Sequence, residues 1–440
     1  MKYLIFLFTI IQTLSVAAHE KKLYVGKNSS EAEMKFSGRV QINWKPSTVE
    51  ARQHIEHQLT HLFGPMSAAE FKAVPKGDHK IKNIKVKLFT DNLYEMTYDY
   101  SGTIVLENGP LETYSVLLPI NPDTVYAAGL GGSADSPKNF CTDSHYQGEG
   151  DFWYFWNPYQ YGCKLKKDID FIEIKASIER KSNTEKTYPD YARLVNQNNE
   201  IKIDLYFGMD NSNGTVNPSR SKDINADNYR RLAAELKRIG YTKEKVDFSQ
   251  FSTEVNQLKE NFSLVNFVKI VNNQNKQIKI VVQMYFGPTG INENSSGFHH
   301  LLKHTIENSS IFIYDGHSGL GGHLNLENIE YAQSFAIQFP ADKYQIFYFN
   351  SCSSYPYYNT QYFMRKKSPD DPKGTYNLDI LTNGLSTYFS VMTPTNLALI
   401  NAIEMWASDQ KIISYQEIAR SIDSDNLFGI NGDEDNPTEP

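Results

Sequence analysis

Two segments of the chain end an apolar run with a residue type that can do covalent chemistry. Residues 311–322 read IFIYDGHSGLGG, so an apolar run leads directly into a glycine-rich turn that holds His317. Residues 344–354 read YQIFYFNSCSS, so a second apolar run is followed by Cys352. A thiol becomes a nucleophile when it loses its proton, and imidazole is the usual proton acceptor. Glycines beside the histidine let backbone N–H groups approach a developing oxyanion. The two blocks therefore predict nucleophilic attack on a carbonyl carbon by a Cys-His pair.

The spacing of these two residues predicts that they meet. The 35 residues from His317 to Cys352 leave room for one crossover helix between two parallel strands. Consecutive strands of such a sheet are usually neighbours joined by a right-handed crossover. Because ligands bind at the carboxyl ends of the strands in open α/β sheets, we expect both residues at one edge of the sheet.

From residue 200 onward, strand patterns alternate with helix patterns. Apolar runs at 201–207, 311–314 and 344–349 predict strands, and an apolar stripe across 229–239 predicts an amphipathic helix. This alternation predicts an α/β domain over residues 200–425 with a mostly parallel sheet.

The preceding part of the chain has a different pattern. Ser47 and Glu50 match a capping box at the start of a helix. Alternating apolar and polar residues over 84–100 then predict paired strands. Residues 30–195 are therefore expected to form a smaller α+β domain.

The two ends of the chain carry signals of their own. Residues 1–18 combine a short positive start, an apolar run and small residues at the cleavage position, which is typical of a signal peptide. The apolar run is too short to cross a bilayer comfortably, so we expect a secreted or periplasmic protein that does not span the membrane. At the other end, residues 426–440 are acidic and are predicted to form a surface tail.

An exported chain with three cysteines is expected to form one disulfide and leave one thiol. Cys141 and Cys163 are close in sequence and are predicted to staple a loop with the aromatic run 152–156, whereas Cys352 stands alone. A zinc site of Cys141, His145 and Cys163 is the alternative, although its spacing matches no standard ligand pattern. The aromatic run either packs the loop onto its domain or offers a platform for carbohydrate or peptide.

The two strand-end blocks resemble those of the caspase–hemoglobinase clan of cysteine peptidases, which includes caspases, legumain, gingipains, clostripain and separase. In that clan one apolar strand precedes a His-Gly pair and another precedes the catalytic Cys; here Ser318 stands where Gly is usual. The resemblance covers roughly residues 200–420 and implies a caspase-like α/β/α sandwich. It also implies peptide-bond hydrolysis through an acyl-enzyme, with Cys352 as nucleophile and His317 as general base and acid. The amides of Ser318 and Cys352 would form the oxyanion hole, and the reaction needs no cofactor.

The resemblance extends to a substrate pocket. Residues 381–390 look like the segment that borders the pocket in relatives, and its candidate pocket residues are Thr382, Asn383, Gly384 and Ser386. Relatives that cut after Arg or Lys use an acidic pocket residue, and four aspartates are near enough in sequence: Asp315, Asp370, Asp371 and Asp379. The sequence does not choose among them, so no cleavage preference is predicted.

Composition and histidine spacing limit the kinds of substrate, partner and metal ligand that we expect. The net charge is −7 without a dense Lys/Arg stripe, so we expect a protein or peptide substrate and no nucleic acid. Two helical histidine sets have a spacing that a metal accepts, namely His54, His57 and His61, and His300 and His304. Neither set has the His-Glu-x-x-His arrangement of zinc peptidases, and no metal site is predicted. The alternative to an enzyme is an inactive caspase-like fold that serves as an exported binding or adhesion protein.

Overall fold

The computed structural model describes residues 24–129, 141–142, 149–181, 183, 185–210, 214–273, 276–291 and 293–439. Within these residues the chain has a mixed α/β fold with two β-sheets, one of nine strands and one of five. The predicted signal peptide, residues 1–18, and His145 lie outside the described residues. None of the described helices combines the length and the apolar character that a bilayer crossing requires.

Strands and helices alternate irregularly along the described parts of the chain. The strands are β1 (Tyr24–Gly26), β2 (Ser29–Ile42), β3 (Ala73–Thr90), β4 (Leu93–Glu107), β5 (Thr113–Pro119), β6 (Phe171–Lys181), β7 (Glu200–Gly208), β8 (Thr242–Glu244), β9 (Ser263–Asn273), β10 (Lys276–Gly287), β11 (Ile311–Asp315), β12 (Gln345–Asn350), β13 (Leu378–Asn383) and β14 (Phe428–Asn431). The helices are α1 (Thr48–Leu59), α2 (Phe63–Ala68), α3 (Pro122–Gly129), α4 (Glu149–Phe155), α5 (Ile224–Arg238), α6 (Thr253–Leu258), α7 (Ser296–Asn308), α8 (Leu326–Gln333), α9 (Ser354–Lys366), α10 (Phe389–Asp409) and α11 (Tyr415–Ile422).

The large sheet has the strand order β1-β14-β13-β12-β11-β7-β10-β9-β8. The five strands from β13 to β10 run parallel to one another. The pairs at both edges are antiparallel, because β9 and β10 form a hairpin and β14 pairs with both β13 and β1. The sheet is therefore mixed, and the prediction of a mostly parallel sheet describes its centre but not its edges.

Helices cover both faces of the large sheet. Ile311 and Ile313 of β11 belong to a hydrophobic cluster that includes residues of α5, α10 and α11. Phe312 and Tyr314 belong to a second cluster, with residues of α7, α8 and α9. Since successive side chains of a strand point to opposite faces, the two clusters lie on opposite sides. This double cover explains why β11 and β12 read as continuous apolar runs.

The smaller sheet is antiparallel throughout, in the order β3-β4-β2-β6-β5. Helix α1 packs on it, since Ala51 and Ile55 share a hydrophobic cluster with Val40 and Met96 of the strands. Residues 29–181, which contain these five strands and helices α1 to α4, are called the antiparallel unit. In the chain they precede every strand of the large sheet except β1, which pairs with β14.

The carboxyl-terminal segment is part of the fold, so the prediction of an acidic surface tail over 426–440 is wrong. Phe428 and Ile430 of β14 are buried in the large core. Asp433 is fully buried and accepts a hydrogen bond from Thr187 Oγ1 at 2.7 Å. Burial raises the pKa of Asp433 to about 7. The prediction rested on the acidic composition of the segment. In the structure the segment is buried, because β14 pairs with two strands and because the Thr187 hydroxyl donates a hydrogen bond to Asp433.

Candidate active site

Two adjacent parallel strands position His317 and Cys352. β11 pairs with β12 so that Asp315 lies opposite Asn350. His317 and Cys352 each follow two residues later, beyond the carboxyl ends of their strands. The pairing thus places both residues at the same edge of the sheet.

A third strand adds a carboxylate that the sequence analysis missed. β7 lies on the other side of β11, with Phe207 opposite Asp315, and Asp210 follows shortly after β7 ends. Asp210 Oδ1 lies 2.6 Å from His317 Nε2, and the two side chains are 48% and 44% exposed. When the carboxylate accepts the Nε2–H, the Nδ1 atom keeps its lone pair. This tautomer makes Nδ1 the basic nitrogen of His317.

His317, Asp210 and Cys352 line one cleft of about 540 Å³. Tyr154 of α4 and Ser386 after β13 form further parts of its wall. Cys352 is a free, partly exposed cysteine. A free thiol and a histidine–carboxylate pair therefore share a concave site of the size that small ligands occupy.

The thiol and the imidazole share this cleft without a direct hydrogen bond between them in the described structure. Cys352 Sγ lies 3.9 Å from the carbonyl oxygen of Thr387. The His317 ring packs edge-on against Phe389, with 5.4 Å between ring centroids. Catalytic hydrogen bonds are often long in unliganded sites and tighten when substrate binds. An unliganded site with this geometry is therefore compatible with a Cys-His pair that forms its hydrogen bond only when a ligand is bound.

The turn after Cys352 has an uncommon backbone conformation. Ser353 directly follows Cys352 and has φ of 49°, the left-handed region that few residues other than glycine adopt. Its N–H donates to the carbonyl oxygen of Leu385 at 3.0 Å, and its Oγ is hydrogen-bonded to the Tyr154 hydroxyl. These contacts stabilise a sharp turn from β12 into α9 directly after Cys352.

The predicted oxyanion donors have suitable surroundings. Ser318 is buried and is not among the residues with positive φ; in its turn those are Gly319, Leu320 and Gly321. A glycine is therefore not required at position 318. The N–H groups of Ser318 and Cys352 donate to no backbone carbonyl in the described parts of the chain. Donors left free in this way can serve a substrate oxyanion.

A buried polar network joins the two strand ends behind the cleft. Asn396 of α10 donates from Nδ2 to Asp315 Oδ2 at 2.7 Å, and Asn350 Nδ2 donates to Asn396 Oδ1 at 3.1 Å. All three residues are at most 1% exposed. Burial raises the pKa of Asp315 well above its usual range, and the bond from Asn396 opposes that shift. The network fixes the residues that lie two positions before His317 and Cys352.

Of the four predicted pocket residues, the structure places one in the wall of the cleft. Ser386 lines the cleft. Thr382 and Asn383 are fully buried in β13, where Asn383 Nδ2 donates to the Ser351 carbonyl oxygen at 3.4 Å. Gly384 is also outside the residues that line the cleft. The strand residues therefore support the cysteine turn from behind and do not line the cleft.

The four aspartates considered for a cleavage-specificity pocket are not among the described residues that line the cleft. Asp315 belongs to the buried network, and Asp379 is fully buried between two tyrosine hydroxyls. Asp371 accepts a hydrogen bond from a loop amide, and Asp370 is exposed beside it. The acidic side chain of the cleft is instead Asp210, which is engaged by the histidine.

Cys141 and Cys163 form a disulfide, which confirms that prediction and excludes a zinc site that would need both thiolates. A disulfide is typical of proteins from oxidising compartments. The loop that it closes carries α4, and Trp153 and Trp156 of the aromatic run are buried. The run mainly packs the loop, while Tyr154 also lines the cleft.

Among the described residues, one group of side chains that includes two of the helical histidines has the spacing of metal ligands. One ligand atom each from His54, His57 and Asp123 lie within 4.8 Å of one another. His61 packs instead against an indole ring, and burial lowers its pKa well below the usual value. His300 and His304 on α7 pack against two separate phenylalanine rings. The predicted three-histidine face is therefore replaced by two histidines and a carboxylate from α3.

The chain matches no family model, no curated protein and no solved structure.

Proposed function

We propose that the protein is an exported cysteine endopeptidase of the caspase–hemoglobinase type, with Cys352 as its nucleophile. The observation that carries the proposal is the order of the parallel strands β12, β11 and β7. Their carboxyl ends lead into turns that bear Cys352, His317 and Asp210, and all three residues line one cleft. A nucleophile, a base and a group that orients the base are the parts that acyl transfer requires.

The proposed reaction uses only side chains and amides of this site. His317 removes the thiol proton, and the Cys352 sulfur attacks the carbonyl carbon of the peptide bond. The N–H groups of Ser318 and Cys352 stabilise the oxyanion. His317 then protonates the leaving amine, the C–N bond breaks, and a thioester to Cys352 remains. Water, deprotonated by His317, attacks the thioester and releases the carboxylic acid and the free thiol.

Asp210 has a positioning role in this scheme. It holds the imidazole through Nε2 and stabilises the imidazolium that forms during the reaction. Exposed ion pairs contribute little to folding stability, and both partners here are about half exposed. We therefore assign Asp210 to catalysis more than to folding.

The proposal includes the fold and the cellular location. Helices on both faces of a sheet with a parallel centre support a caspase-like α/β/α sandwich for the large-sheet unit. The Cys141–Cys163 disulfide and the signal-like start of the chain support secretion or export to the periplasm. The antiparallel unit would present substrate, cover the site as a pro-region or bind a partner.

One observation favours the alternative, an inactive relative that acts as a binding protein. The Cys352 thiol contacts the Thr387 carbonyl and not the imidazole. Hydrolysis of unfolded protein and of mixed fluorogenic peptides by the purified chain without residues 1–18 separates the two functions. As an enzyme it should lose at least about a thousandfold of its rate in Cys352→Ala and His317→Ala.

The matched control is His300→Ala, which removes a histidine that packs on Phe335 outside the cleft. We expect this variant to keep its rate. Hydrolysis that persists in Cys352→Ala would show that Cys352 is not the nucleophile, and hydrolysis that is absent from the folded wild-type protein would favour the binding protein.

A further inference from the structure

A second, larger cavity adjoins the candidate catalytic cleft. Its volume is about 690 Å³, and it shares two wall residues with the cleft, Tyr154 and Leu320. The antiparallel unit supplies most of the remaining wall, and α9 supplies the rest, through Leu59, Leu62, Phe63, Tyr100, Trp153 and Tyr357. The cavity therefore lies directly beside the cleft, on the other side of a wall that both share.

The partition between the two spaces is built on the nucleophile turn. The Tyr154 ring stacks on Phe63 with centroids 4.3 Å apart and also faces Tyr357 at 6.4 Å. Its hydroxyl is hydrogen-bonded to Ser353, the residue after Cys352. A phenol is neutral near pH 7, and burial raises the pKa of Tyr154 further above that range. A ligand that touches this wall thus lies close to the reacting sulfur.

The cavity has apolar walls and little net charge of its own. Its acidic and basic side chains include Glu56 and His79, whose Oε2 and Nε2 atoms are 2.5 Å apart. A carboxylate paired with an imidazole in this way has little charge left to select a charged ligand. A further wall residue, Leu320, is 43% exposed and has φ of 51°. The chemistry of the walls favours a bulky apolar group.

Trp153 adds a large aromatic side chain to the wall, and it is 3% exposed. The wall therefore combines leucine side chains with tyrosine, phenylalanine and tryptophan rings, which suits a bulky apolar group.

We infer that this cavity is a specificity site for a bulky apolar side chain, aromatic or long aliphatic, of the peptide being cleaved. The inference rests on the proposed function, because it places that side chain within a few residues of the bond that Cys352 attacks. It gives the antiparallel unit a role in choosing substrates.

The test compares tetrapeptide thiol-directed probes that differ only in carrying Phe, Leu, Ala or Asp at one position, scanned across all four. We expect Phe or Leu to exceed Ala at one position by at least about tenfold in labelling rate, and Asp to be the slowest. Leu320→Ala, which removes part of the wall, and Thr60→Trp, which places a larger side chain at an exposed position of the wall, should reduce that preference several-fold. The matched control is Leu88→Ala, since Leu88 is 61% exposed on β3 and does not line the cavity.

A calorimetric titration of the Cys352→Ala protein with the corresponding peptide amides separates this inference from the proposed function. If no probe labels the wild-type protein but the Phe peptide binds at least about tenfold more tightly than its Ala analogue, the peptidase proposal fails and the site stands. Equal labelling and equal affinity for Phe and Ala at every position would overturn the site. So would a Phe preference that Leu320→Ala and Thr60→Trp leave unchanged.

Discussion

The substitution Asn396→Ala probes how the fold holds His317 and Cys352. Asn396 is fully buried and bridges Asp315 and Asn350, the residues two positions before His317 and Cys352. Removing its amide leaves the Asp315 carboxyl without a hydrogen-bond donor, since its other oxygen already has no partner in the described structure. The same change takes one acceptor from Asn350.

The expected loss of stability follows from these contacts. An unpaired buried polar group costs about 1–3 kcal/mol, and Asn350 keeps a second acceptor, Thr395 Oγ1, at 3.0 Å. The full penalty therefore falls mainly on Asp315, while the higher helix propensity of Ala returns about 0.5 kcal/mol. We expect the free energy of unfolding to fall by about 0.5–2.5 kcal/mol, above the roughly 0.5 kcal/mol expected of a neutral surface change. Loosening both turns should also slow labelling of Cys352 by about tenfold, because small misplacements of reacting groups are costly.

Urea unfolding measures the first effect, and a peptide probe at a temperature where the variant is folded measures the second. Asn401→Ala is the matched control, because Asn401 lies on the same helix but is partly exposed. Its stability should change by less than about 0.5 kcal/mol. A similarly small change in Asn396→Ala, or normal labelling of the folded variant, would refute a role of the network in holding the site.

Three further predictions concern the orienting carboxylate, the disulfide and the buried acidic end. Asp210→Asn should slow labelling of Cys352 by about 10- to 100-fold while changing the urea midpoint little, because the pair with the imidazole is half exposed; equal rates would remove Asp210 from the site. Replacing Cys141 and Cys163 together by Ala opens a loop with a sequence separation of 22 and should cost about 3 kcal/mol in urea unfolding, whereas an unchanged midpoint would contradict this. Burial raises the pKa of Asp433 to about 7, so its stabilising effect is full below its unfolded pKa of about 3.9 and is lost as pH rises toward 7. The stability of wild type relative to Asp433→Asn should therefore fall by up to about 1.4 kcal/mol per pH unit in that window, and a flat difference would show that Asp433 does not titrate there.

Local patterns predicted the parts of the fold that local chemistry determines. The capping box at Ser47 is present, with reciprocal hydrogen bonds to Glu50 at 3.3 and 2.7 Å. The strand runs before His317 and Cys352 were recognisable because strands buried on both faces need apolar side chains at successive positions. Their order and spacing were enough to predict a common sheet edge.

Features that depend on the order of the strands in the sheet were not predicted from the sequence. Asp210 precedes His317 by 107 residues, and it reaches the histidine only because β7 lies beside β11. The signal available was a third apolar strand followed closely by an aspartate. β14 was missed because two apolar residues among acidic neighbours make a weak pattern. The burial of Thr382 and Asn383 likewise depends on what packs against β13, which their sequence does not record.

The central claim, an activated thiol at Cys352 served by His317, is tested most directly by covalent labelling. The chain without residues 1–18 would be treated with a thiol-directed peptide probe across pH, and the modified residue identified by mass spectrometry. We predict rapid modification of Cys352 at mildly acidic pH, lost in Cys352→Ala and strongly slowed in His317→Ala. Labelling of the folded wild-type protein no faster than an ordinary thiol, or unaffected by His317→Ala, would contradict the claim.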